Sequence, residues 1–250
     1  MKTVTNPTRP LLAALLATPL AALLHAGTPT SQENAVARQW PQDHVFPEDA
    51  EAPFSFMLDG RDASEVLAAW QRTDVERELD ANGRERTRQW TDPASGLQVR
   101  LVATEYADFP VVEWTLWLKN TGKADTALLE NIQGLDVRFE LEDGGEFVLH
   151  GLRGDSCVAE SFRPYALTLG PDTEMRCSPP AAGNKVSGKS TDGTDGWPYW
   201  NLQRPGGGVI LAVGWPGPWK ATFARDHERG LRVTLREKPA AAVLVLKAIK

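Results

Sequence analysis

Apolar and polar residues alternate along much of this chain, most clearly across residues 105–131, EYADFPVVEWTLWLKNTGKADTALLEN. If that segment is extended, Val112, Trp114, Leu116 and Leu118 face one way, and Val111, Glu113, Thr115, Trp117 and Lys119 face the other. A period of two with β-branched and aromatic enrichment predicts a strand with one apolar and one mixed face. Asp108-Phe109-Pro110 breaks the chain before it, and Asn120-Thr121-Gly122-Lys123 turns it afterwards.

The flanking sequence predicts more strands. Residues 54–58 (FSFML) run into the turn Asp59-Gly60. Residues 73–80 and 84–91 lie on either side of Asn82-Gly83, a strong short hairpin signal. A turn over 92–96 precedes another alternating run, 97–105. Further strands are expected at 135–141, 147–150, 219–224 and 231–235, and 208–214 (GVILAVG) reads as a buried strand. Residues 64–70 are either a short helix opened by Ser64 or a loop. Residues 157–195 are rich in Pro, Gly, Ser and Asp, which predicts a long irregular excursion. There is no internal repeat or heptad. The fold class that follows is all-β, a sandwich, as one large domain or two small ones.

The N-terminus reads differently. Lys2 and Arg9 precede an apolar Leu/Ala-rich run over 11–24, and His25-Ala26-Gly27 ends it. This is the pattern of a secretory signal peptide cleaved after Ala26, although Leu24 is larger than the ideal residue there. A retained membrane anchor is the alternative, which the shortness of the run and Pro19 disfavour. The expected organisation is a signal peptide over 1–26, a linker over 27–51 and a β-sandwich over 52–250, in a secreted or periplasmic protein. An oxidising compartment would permit a bridge between the only two cysteines, Cys157 and Cys177; two buried thiols are the other reading.

Composition narrows the function. A hydrophobic content of 42% supports a packed core, and a net charge of −6 without a basic stripe argues against a nucleic-acid partner. His44, His150 and His227 are too scattered to predict a metal site. Gly154-Asp155-Ser156 resembles the serine-protease triplet, but Cys157-Val158 replaces the glycines that build an oxyanion hole. Carboxylates are plentiful, and sequence does not say which pairs have glycosidase separations. Nine Trp against three Tyr is a distinctive ratio. Two aromatic loops follow from it: Trp197-Pro198-Tyr199-Trp200-Asn201, and Gly214-Trp215-Pro216-Gly217-Pro218-Trp219. Rings beside Gly and Pro either stack on sugars, with Asn201 or Asp195 bonding hydroxyls, or pack within the sandwich or against another domain. Trp197, Tyr199, Trp200, Asn201, Trp215 and Trp219 are therefore the candidate substrate-binding or domain-docking residues.

Several of these segments occur in an order that resembles one family. They are Pro53-Phe54-Ser55-Phe56, Tyr106-Ala107-Asp108-Phe109-Pro110 with Glu113-Trp114, Asn120-Thr121-Gly122, and Leu129-Glu130-Asn131-Ile132-Gln133. Pro198-Tyr199-Trp200-Asn201-Leu202 and the second aromatic loop follow. Over residues 52–235 the chain resembles the N-terminal domain of the α-galactosidases of glycoside hydrolase family 36. The resemblance implies a large β-sandwich, a supersandwich of the galactose-mutarotase kind, preceding a (β/α)₈ barrel. In the family the barrel's two Asp residues cleave terminal α-galactosides with retention, using no metal or organic cofactor. It also implies an α-galactoside or galactose-containing oligosaccharide as ligand, with homo-oligomerisation left open. Residues 238–250 do not resemble the family's continuation, and a barrel needs about 200 residues or more. The chain is therefore expected to be truncated before the barrel, with no catalytic residue of its own and no hydrolase activity alone. The tail is expected to be a last strand or an aggregation-prone edge. A non-catalytic carbohydrate-binding module is the alternative.

Overall fold

The computed structural model describes residues 30–48, 51–81, 83–141, 144–155, 158–179, 194–214 and 219–237. The expected signal peptide, Asn82, Cys157, Trp215 and the tail 238–250 lie outside the described residues.

The first element departs from expectation. Where a linker was predicted, helix α1 (Ser31–His44) forms, with Pro41 inside it. Thr30 opens it with a capping box: its hydroxyl accepts from the Glu33 N–H, and the Glu33 carboxylate accepts from the Thr30 N–H. Val45 and Phe46, just after the helix, are buried. Trp40, Val45 and Phe46, within the expected linker, thus pack on the fold.

Strand β1 (Ser55–Leu58) turns at Asp59-Gly60 into the short β2 (Arg61–Asp62), which leads into helix α2 (Ala63–Leu67). The helix begins one residue before Ser64, and its cap, Asp62, makes no side-chain capping bond. β3 (Gln71–Asp80) and β4 (Gly83–Thr91) form the predicted hairpin, pairing from Gln71–Thr91 to Asp80–Gly83. β5 (Leu97–Tyr106) and β6 (Val112–Asn120) complete an antiparallel sheet in the order β3-β4-β5-β6. On β6 the predicted faces are realised: Val112, Trp114, Leu116 and Leu118 pack on the core, while Glu113, Thr115, Trp117 and Lys119 are exposed.

β7 (Leu129–Gln133) pairs with β1 and runs through Gly134 into β8 (Leu135–Glu140). β9 (Phe147–Leu152) follows. The excursion expected to be irregular contains β10 (Pro164–Leu169), β11 (Glu174–Ser178) and β12 (Thr194–Asp195). β13 (Tyr199–Arg204) and β14 (Gly207–Ala212) form a hairpin, and β15 (Trp219–Arg225) and β16 (Gly230–Glu237) another. The remaining sheets run β2-β1-β7, β10-β9-β13-β14 and β12-β11-β15-β16-β8. Among the described residues the strand pairings are antiparallel except β11 with β12. β14 is an edge strand, not the buried one expected, and its Ile210 is 60% exposed.

Two hydrophobic clusters hold these layers together, in keeping with an all-β sandwich. The first places Leu97, Val99, Leu101 and Ala103 of β5 against Phe54, Phe56 and Leu58, with α2 behind them. The second places Phe147, Leu149, Trp200 and Leu202 against Phe223, Leu231, Val233 and Trp219. Trp40 of α1 packs against both and stacks on Trp114 at 6.4 Å. At the open side of the first core β4 carries an arginine ladder. Arg88, 3% exposed, forks onto Asp74 at 2.8 and 2.9 Å and donates to the Pro47 carbonyl. The Arg86 guanidinium lies 4.2 Å from the Phe46 ring centroid, so the end of α1 covers this ladder with an aromatic lid.

Candidate functional site

Strand periodicity decides which candidate rings are available. β13 starts at Tyr199, so Trp200 and Leu202 point inward while Tyr199 and Asn201 point outward. β15 starts at Trp219, which also points inward. Trp200 is 1% exposed and Trp219 3%. Their rings meet edge to face at 5.4 Å, and Phe223 meets Trp200 at the same distance. Rings so enclosed present no face to a sugar, so these two predicted site residues are core residues.

The buried end of the site is polar at one point. Trp200 Nε1 donates to the Tyr165 hydroxyl at 3.2 Å, and that hydroxyl lies 3.7 Å from Cys177 Sγ. Burial, reinforced by Cys177, pushes the Tyr165 hydroxyl well above the usual phenol range, so it stays protonated. Gly151, paired with both Trp200 and Tyr165, makes this packing feasible, because an added Cβ would lie 2.6 Å from Tyr165 Cζ and 3.0 Å from Trp200 Cδ1. Cys177 is fully buried. Its proposed disulfide partner, Cys157, lies outside the described residues.

The exposed end consists of Trp197, Tyr199 and Asn201. Trp197 is 41% exposed and Tyr199 43%. The Trp197 N–H donates to the Leu152 carbonyl, and the Tyr199 N–H donates to the Trp197 carbonyl at 2.7 Å, so the backbone here is held rigidly. Phe162, which sequence reasoning did not single out, meets Trp197 edge to face at 5.2 Å. It sits in the left-handed region at φ 61°, costly for an aromatic residue. Asn201 is exposed between His150 and Ile210 on neighbouring strands, and His150 Nε2 lies 2.9 Å from Gln203 Oε1. Exposed rings beside hydrogen-bonding side chains are suited to stacking and hydroxyl recognition. Trp215 lies outside the described residues. No cluster of three or more His, Cys, Asp or Glu positioned to hold a metal occurs among the described residues.

No family model matches the sequence, and no curated protein matches it. Solved structures do match. The GH36 α-galactosidase AgaA from Geobacillus stearothermophilus superposes with a TM-score of 0.56 at 14% identity, over 83% of this chain and 30% of that one. A variant of the same enzyme in complex with raffinose gives 0.55 at 14% identity, over 83% and 30%. The α-galactosidase from Lactobacillus brevis gives 0.51 at 12% identity, over 82% and 28%. At such identities the likeness establishes the fold, that of a β-rich portion shared with these enzymes. The chain spans less than a third of the length of each.

Proposed function

We propose that this chain is the sandwich domain of an α-galactosidase-type glycoside hydrolase. In this reading it works beside a (β/α)₈ domain that cleaves terminal α-galactosides with retention, through the two-carboxylate displacement. The observation that carries the reading is the match over 83% of the chain to 30% of AgaA, which joins the ordered sequence motifs of the same family. Export to the periplasm or the exterior belongs to the proposal and rests on residues 1–26. The catalytic carboxylates are assigned to the barrel and none to this chain.

Two measurements test it. The coding DNA beyond the codon for Lys250 is expected to encode a barrel in one of its frames. The pure 250-residue protein is expected to show no turnover of an aryl α-galactoside. Turnover by the isolated chain, or coding DNA without a barrel in any frame, overturns the reading. The exposure of Trp197 and Tyr199 favours a second reading, a non-catalytic carbohydrate-binding module. It predicts a change in tryptophan emission on titration with raffinose that is abolished in Trp197→Ala. Unchanged emission at high millimolar raffinose removes this second reading.

A further inference from the structure

A groove of about 360 Å³, with neither Trp197 nor Tyr199 in its lining, lies where the outward faces of the β2-β1-β7 and β12-β11-β15-β16-β8 sheets meet. Its shape follows from side-chain length. Thr222 and Ala224 of β15 and Thr234 of β16, all short, make the floor. Glu174, Arg232, Met57 and Gln133 stand around them as longer walls. The two sheets are tied beside it by the Asp136 N–H donating to the Pro53 carbonyl at 2.7 Å.

One wall is built with unusual rigidity. The Asp136 side chain is 8% exposed, and each of its oxygens accepts from Arg232, Nε and Nη2 both at 2.7 Å. The Ser55 hydroxyl also donates to Asp136 Oδ2. Arg232, 60% exposed, is thereby fixed in a planar fork that leaves its Nη1 hydrogens unspent. Asn131 adds a strained position, at φ 50° in β7 where the pairing with β1 shifts register. Its amide approaches Met57 Sδ at 3.5 Å, a weak contact that leaves most of its hydrogen-bonding capacity available.

We propose that this groove binds a neutral sugar, one or two residues of an oligosaccharide, through its hydroxyls. A sugar hydroxyl both donates and accepts, and the groove interleaves donors (Arg232, Gln133, Asn131) with acceptors (Asp62, Glu174), over an apolar patch of Met57 and Ala224. Three carboxylates against one guanidinium leave it net negative, which disfavours uronates and phosphorylated sugars. The volume sits at the lower end of small-molecule pockets, which run from about 300 to 1,000 Å³. The ring nearest the floor, Phe56, is 1% exposed and cannot stack, so binding is weak, with a Kd of about 1 mM or above.

This site is independent of the catalytic reading above and does not include Trp197 or Tyr199, and the experiment separates them. The full chain is titrated with raffinose, and with glucuronate as the anionic comparator, by saturation-transfer NMR and calorimetry. Saturable raffinose binding is expected, and glucuronate is expected to bind more weakly. Thr234→Trp, which fills the floor, and Gln133→Ala, which removes a wall donor without touching the ion pair, are each expected to raise Kd about tenfold or more. Trp197→Ala is expected to leave Kd unchanged. If Thr234→Trp fails to fold by circular dichroism, Gln133→Ala with Thr222→Gln carries the test. Absence of saturable raffinose binding overturns the proposal. So does binding that persists in the groove variants, or that is lost only in Trp197→Ala.

Discussion

Trp200 and Trp197 lie three residues apart in one aromatic segment, yet the fold assigns them opposite roles, and truncating each to alanine separates those roles by stability. Trp200 is 1% exposed, meets Trp219 and Phe223 edge to face and donates to Tyr165. A buried Trp removes about 200 Å² from water, worth about 5 kcal/mol at ~25 cal/mol per Å² as an upper bound. Trp-to-Ala core truncations cost about 3–5 kcal/mol, and the loss of a donor to the buried Tyr165 hydroxyl places Trp200→Ala toward the upper half of that range. Trp197 is 41% exposed and its ring meets that of Phe162, itself 46% exposed, so Trp197→Ala is expected to cost about 1 kcal/mol. With an m value of about 2 kcal/mol/M in urea, the two midpoints should fall by about 2 M and about 0.5 M. Equal shifts, or a Trp200→Ala shift below about 0.5 M at unchanged m, would refute the assignment of Trp200 to the core.

Three further outcomes follow from the packing and the charges. Gly151→Ala drives a methyl into Tyr165 and Trp200, and should cost at least about 2 kcal/mol in the same urea assay. Arg88→Ala removes a buried fork whose partner Asp74 is 43% exposed and can rehydrate, so the loss should be about 1–3 kcal/mol, less than for a fully buried pair. The hydrogen bond from Arg88, with its nearby charge and those of Arg72 and Arg86, holds the Asp74 carboxyl below its ordinary range. A depressed folded-state pKa stabilises above the unfolded value of about 3.9 and is lost as pH falls through the folded value. Asp74→Asn should therefore lower stability at pH 7 and flatten the acid limb of a melting-temperature profile below about pH 4, while an unchanged limb would exclude the pair from acid stability.

Period-two patterning carried most of the β reading. β6 has the predicted faces, and the expected hairpin forms with strands that start two residues and one residue earlier than expected, because alternation and turn chemistry are local. What escaped depended on partners distant in sequence. α1 has few apolar positions, and its packing depends on Trp40, the buried Pro41 and, just after it, Val45 and Phe46; the Thr30–Glu33 capping box was its one legible signal. Residues 208–214 are apolar throughout, and such a run does not distinguish a central strand from an edge. β10 and β11 lie in a stretch whose Pro, Gly and Ser content masked them. In the aromatic loops, alternation through Tyr199, Trp200, Asn201 and Leu202 was available to place Trp200 inside, but the neighbouring Gly and Pro suggested a loop. The groove had no local signature, since Ser55, Asp136, Glu174 and Arg232 come together only when four strands of two sheets are in place.

Trp40 has a bearing on how the molecule is made. It belongs to the first helix, yet it also packs on the cluster that includes Leu231 and Val233, on the last described strand. On a ribosome the helix emerges early, can cap itself through Thr30 and Glu33, and can rest its indole on Trp114 once β6 has appeared. One ring contact is made within the helix, to His44 at 4.6 Å, but the second cluster on which Trp40 packs is complete only once β16 has been synthesised and has paired with β8 and β15. Trp40, near the start of the described chain, therefore reaches its full packing only after the last described strand is in place.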